Sequence, residues 1–100
     1  DSFFKCYSVV DERSAGYFAL GLAKELGEPV AIACTSSTAT CNYVPPIAEA
    51  YYQKVPLLVL TGDRDPYLLD QLEDQMINQV DMYKNFCKKF FNRFESYKYK

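Results

Sequence analysis

Two apolar runs constrain this chain more than any other feature: PVAIACT at 29–35 and VPLLVLT at 55–61. A strand with one wet face alternates apolar and polar residues. Neither run alternates, so each suits a central strand of a parallel sheet, covered on both faces. Parallel strands need a crossover of a dozen or more residues, usually a helix. The 19 residues between the runs are enough. Upstream, FFKCYSVV at 3–10 is rich in aromatic and β-branched residues and reads as a third strand. The order β-α-β-α-β predicts an α/β fold, a three-layer doubly wound parallel sheet with right-handed crossovers. Val30, Ile32, Leu58 and Val59 are its expected core residues.

The intervening segments carry helix signals. Asp11 can cap the first helix, and Ala15, Ala19, Leu22, Ala23 and Leu26 recur at helical spacing as its apolar face. Gly27 suits the C-terminal cap and Pro29 prevents continuation. After the hydroxyl cluster TSST at 35–38, a short helix is expected from about Thr38. A break follows near Pro45, then a helix to Lys54. GDRDP at 62–66 reads as a loop, and LEDQMINQVDMYKNF at 72–86 as a polar loop or short helix.

Composition removes several function classes. With 100 residues, 49% hydrophobic, the chain is one domain at most, and its start at Asp1 suggests a fragment. No apolar run approaches the ~20 residues of a membrane span. Cys6, Cys34, Cys41 and Cys87 form no C-x-x-C pair and there is no histidine, which argues against zinc and for reduced thiols in the cytoplasm. Cys6 and Cys34 lie in apolar runs and read as small buried hydrophobes. Residues 1–82 carry 5 basic and 12 acidic groups, whereas 83–100 carry 6 basic and 1 acidic. The basic end reads as a solvated tail, disordered or a truncated continuation. Nothing upstream supports nucleic-acid binding.

In open α/β sheets, ligands gather outside the carboxyl ends of the strands. Three polar segments belong there: DER at 11–13, TSST at 35–38 and TGDRD at 61–65. Each has a plainer explanation. Glu12 complements a helix dipole, the hydroxyls cap, and Arg64 pairs with Asp63 or Asp65. No G-x-G-x-x-G or Walker A sequence supports a dinucleotide or P-loop site.

Their combination is more specific. The blocks DERSAGYFALGLAK, PVAIACTSSTATCNYVPPIAEA, VPLLVLTGDRDP and QMINQ stand in one order over residues 9–80. They resemble the pyrimidine-binding (PYR) domain of thiamine-diphosphate-dependent enzymes, and most closely its menaquinone-pathway synthase branch. The resemblance implies a partial PYR domain over 1–82. Its cofactors would be thiamine diphosphate and Mg²⁺, both anchored mainly by a domain outside this chain, so that 100 residues alone hold the cofactor weakly. It implies that Glu12 is the catalytic and cofactor-binding residue, sharing a proton with N1′ of the aminopyrimidine ring. Arg64 and Gln75 would bind an isochorismate-type acceptor, with a 2-oxo acid such as 2-oxoglutarate as donor. Asn42 would be structural, tying a helix to a neighbouring loop, and a homo-oligomer, a dimer or dimer of dimers, would share the cofactor. The chain departs from the pattern at Ser37 for Gly, Gly62 for Ala and Asp65 for Pro. An acetolactate-synthase-like or sugar-modifying relative, and a non-catalytic assembly module, are the alternative readings.

Overall fold

The computed structural model describes residues 3–62, 79 and 81–89. The first helix, α1 (Glu12–Leu26), starts where Asp11, in an extended conformation, accepts a hydrogen bond from the Ser14 backbone N–H. It stops at Gly27, whose φ of 68° is the left-handed conformation that ends helices most cheaply without a Cβ. Strand β1 (Val30–Cys34) follows, then the single turn α2 (Thr38–Cys41), helix α3 (Val44–Gln53) and strand β2 (Leu57–Thr61). A 3₁₀ turn at Lys84–Phe86 is the last regular element among the described residues.

The expected break in the second crossover falls at Asn42–Tyr43, just ahead of the two prolines. Pro45 and Pro46 therefore occupy the first turn of α3, where a missing N–H costs nothing. The strands pair in parallel with Val30 opposite Leu57 and Ile32 opposite Val59. Gly62 N–H extends the ladder by one bond, to the Cys34 carbonyl at 2.9 Å.

One face of the sheet packs on the helices. Ile32 is buried with Ala19, Tyr43 and Ile47, and Val30, Cys34, Leu57 and Val59 close around them. The other face carries Ala31, Ala33, Leu58 and Leu60, and is exposed, with Leu58 at 56%. Burial of both faces is thus corrected for Leu58: period two sends it away from the helices, and nothing among the described residues covers that side.

The third expected strand is also corrected. Residues 3–10 form no strand, and Val10 is fully exposed. Their side chains make local aromatic contacts instead: Phe3 meets Phe4 edge-on at 4.9 Å, and Tyr7 meets Phe18 of α1 at 5.4 Å. Cys6 is accordingly exposed rather than buried. The apolar stripe of α1 is rotated from the expected one. Gly16, Ala19, Leu20 and Ala23 are buried, while Leu26 is exposed in the last turn.

Gly16 explains that rotation. A Cβ there would lie 2.3 Å from Pro46 Cγ and 2.9 Å from Pro46 Cβ, so the missing side chain lets α1 and α3 touch. Gly21, on the exposed side of the same helix, has nothing within 4 Å. The two glycines should therefore respond oppositely to alanine. Gly21→Ala should raise the unfolding free energy by roughly 0.5–1 kcal/mol through helix propensity. Gly16→Ala should lower it by about 1–3 kcal/mol, because a proline ring cannot rotate away. Urea unfolding of the two variants tests this, and the same sign for both would refute the contact.

Candidate functional site at the carboxyl edge of the sheet

The parallel topology brings the carboxyl ends of β1 and β2 and the amino end of α1 to one edge. Asp11 and Glu12, adjacent in sequence, divide two tasks there. Asp11 Oδ2 accepts from Ser14 N–H at 2.8 Å, and this bond, with the Ser14 side chain, holds its carboxyl below the ordinary aspartate range. Capping is thereby satisfied, and Glu12 is released from it. Glu12 is half-buried, and its Oε1 accepts from the Asn42 side-chain amide at 3.0 Å. No hydrogen bond to Oε2 is seen among the described residues.

Cys34, the last residue of β1, and Tyr43 lie close to this carboxylate. Burial pushes the Cys34 thiol up to about 11, and the negative charge of Glu12 adds to it. Burial likewise pushes the Tyr43 hydroxyl up to about 12. That hydroxyl donates to the Ala33 carbonyl at 2.8 Å. Burial also holds the Tyr83 hydroxyl well above the usual tyrosine range, and it donates to the Thr40 carbonyl.

A second cluster joins the strand ends. Gln79 Oε1 accepts from Ser37 N–H at 2.7 Å, and its Nε2 donates to the Gly62 carbonyl at 2.7 Å and to Thr61 Oγ1 at 3.3 Å. One side chain thus ties the loop after β1 to the end of β2. Ser37 is fully buried with φ 65° and ψ −115°, a conformation that glycine adopts freely and serine does not. A Cβ at Gly62 would be 3.4 Å from Ser36 N, ordinary contact, so the packing does not require glycine there.

Of the expected site residues, Glu12 stands at this edge, while Arg64 and Gln75 lie outside the described residues, as does Asp65. Sequence reasoning passed over Gln79, although it closes the same QMINQ block that drew attention to Gln75. It passed over Tyr43 with no signal to follow, since a tyrosine before two prolines has many uses.

The residues present fit the pyrimidine end of thiamine pyrophosphate. A half-buried carboxylate with one oxygen held by a neutral amide can offer the other to a protonated ring nitrogen. They do not fit a metal ion: among the described residues no three His, Cys, Asp or Glu side chains converge. No helix among them is long and apolar enough to cross a membrane.

A carboxylate at a helix start, beside the carboxyl edge of a parallel sheet, stands where α/β domains bind their ligands. Residues 1–82 match the family described as "Thiamine pyrophosphate enzyme, N-terminal TPP binding domain", and the chain belongs to that family. Among curated relatives, it is 51% identical over 86 residues to 2-succinyl-5-enolpyruvyl-6-hydroxy-3-cyclohexene-1-carboxylate synthase of Bacteroides fragilis, covering 86% of this chain and 16% of that protein. To the proteins of the same name from Bacillus cytotoxicus and Bacteroides thetaiotaomicron it is 55% identical over 86 residues and 47% over 89. These alignments cover 86% and 89% of this chain, and 15% and 16% of those relatives. The chain thus spans about one sixth of the length of these relatives.

Two outcomes follow from the geometry. Ser37→Gly removes a conformational strain of order 1–3 kcal/mol and incurs roughly 0.5–1 kcal/mol of extra backbone entropy, so unfolding free energy should rise by about 1 kcal/mol. A loss in urea unfolding would contradict the strain. With its thiol pushed up to about 11, Cys34 stays protonated through neutral pH. Exposed Cys6 and Cys41 should therefore react with iodoacetamide at pH 8 well before Cys34, as peptide mass mapping over time would show.

Proposed function

We propose that this chain is the pyrimidine-binding part of a thiamine-diphosphate-dependent synthase. It would join a decarboxylated 2-oxo acid to an isochorismate-type acceptor, as the resemblance of its sequence blocks to the menaquinone-pathway branch implies. The observation that carries the reading is the position of Glu12: at the carboxyl edge of the sheet, half-buried, and free of the capping role that Asp11 fills. Thiamine diphosphate, when bound, supplies the carbon that attacks the 2-oxo acid and holds the electron pair left by decarboxylation.

The chain's own contribution is proton placement. Glu12 Oε2 would share a proton with N1′ of the pyrimidine ring. Partial burial strengthens that contact by lowering the local dielectric. Arg64 follows the end of β2 by two residues past Gly62, and its guanidinium suits an acceptor carboxylate. Gln75 would orient the same acceptor, offering both a donor and an acceptor. Mg²⁺ would be held by residues other than those described here, next to the diphosphate. Homo-oligomeric assembly around the cofactor and a cytoplasmic location belong to the same proposal; the location is in keeping with four free thiols.

Glu12→Gln in the complete enzyme tests the reading. Glutamine keeps the shape and one hydrogen bond but does not hold the proton as a carboxylate does. H/D exchange at C2 of the bound thiazolium ring should slow by about 10²–10⁴-fold, the usual range for a lost acid–base group, with Tm unchanged. Exchange at the original rate would return Glu12 to a helix-start charge.

A further inference from the structure

We propose that Asn42 is the positioning residue for Glu12: its side-chain amide occupies Oε1 and so selects Oε2 as the oxygen presented to the pyrimidine ring. This rests on the reading of Glu12 given above. The amide reaches Oε1 at 3.0 Å across 30 residues of sequence, from the end of α2 to the start of α1.

The backbone beneath Asn42 is fixed from both sides. Thr40, 1% exposed, donates from its hydroxyl to the Ser37 carbonyl, and its own carbonyl accepts from Tyr83. Tyr43, also 1% exposed, is tied to Ala33 of β1. An amide mounted on so restrained a turn can hold a glutamate rotamer that its own three χ angles would leave loose.

The side chain is not needed for the local fold. Asn42 caps α2 through its backbone N–H, which donates to the Ala39 and Thr40 carbonyls, and any residue supplies that group. The amide is also the right chemical type. It is neutral, so it engages the carboxylate without donating a proton to it, whereas a lysine would compete as a cation for the same charge. A pyrimidine ring bound at this edge would exclude water, and the Asn42–Glu12 bond would strengthen as the local dielectric falls.

The test uses the complete enzyme with Asn42→Ala and the nearly isosteric Asn42→Asp, which keeps the shape but cannot donate. Three readouts are taken beside Glu12→Gln: Tm, thiamine diphosphate affinity by calorimetry, and C2 H/D exchange by NMR. Exchange should slow by about 10²-fold in both Asn42 variants, the scale of a misplaced catalytic group, with Tm kept and affinity changed far less. Crystals of the cofactor-free Asn42→Ala protein should show the Glu12 carboxylate spread over more than one rotamer. Unchanged exchange in both variants, with exchange lost in Glu12→Gln, would overturn the role of Asn42 alone. A fall in exchange that only tracks a fall in Tm would overturn it too, by making Asn42 structural. Unchanged exchange in Glu12→Gln as well would remove the cofactor reading itself.

Discussion

The contact between Tyr43 and β1 organises this structure. The ring sits in the core with Ala19, Ile32 and Ile47, and the hydroxyl reaches the Ala33 carbonyl. A buried phenol requires such a partner, since leaving it unpaired costs about 1–3 kcal/mol. The bond anchors the crossover between β1 and β2 to the strand it has just left. It also fixes where the crossover breaks, because Tyr43 is the residue before α3 and the prolines then fill the first turn of that helix. Asn42 precedes Tyr43, so the same anchor sets the distance from the turn to Glu12.

Around that anchor, two polar tasks are kept apart. Asp11 satisfies the helix start, and Glu12, one residue on, turns to the edge of the sheet. Gln79 does for the two strand ends what Tyr43 does for the crossover, and it holds the N–H of Ser37, which is buried in a glycine-like conformation. Serine in that conformation is a local conflict tolerated because the surrounding bonds fix the backbone. The family pattern has glycine there, which is what the dihedral angles favour.

Most of the secondary structure was legible because its signals are local. Asp11 and Gly27 mark the ends of α1, and the runs at 29–35 and 55–61 mark the two strands and their parallel pairing. The hydroxyl cluster does precede α2, but Ser37 stands at its start without a side-chain cap hydrogen bond. The family, too, could be read from its four blocks, and the match over 1–82 agrees. What failed depends on distant partners. FFKCYSVV has strand composition, but aromatic contacts within 3–10 and with Phe18 replace a ladder. The apolar stripe of α1 was misjudged because the tightest contact is made by Gly16, which has no hydrophobicity to count. At the site, Glu12 could be singled out from its block and Asn42 as a tie between elements, whereas the identity of Asn42's partner and the glutamine that joins the strand ends depend on contacts 30 and 42 residues away in sequence. The basic end is partly integrated: Tyr83 and Phe86 pack on the core, and Phe86 meets both Tyr51 and Tyr52 at 6.3 Å, while 90–100 lies outside the described residues.

The register of the sheet has a kinetic meaning. Every pair from Val30↔Leu57 to Cys34↔Thr61 joins residues 27 apart, so the ladder contains no short-range pairing at all. A helix such as α1 can form and melt within about a microsecond by itself, whereas a ladder bond requires the whole crossover to close first. The strand amides therefore become protected from solvent only once the crossover is closed.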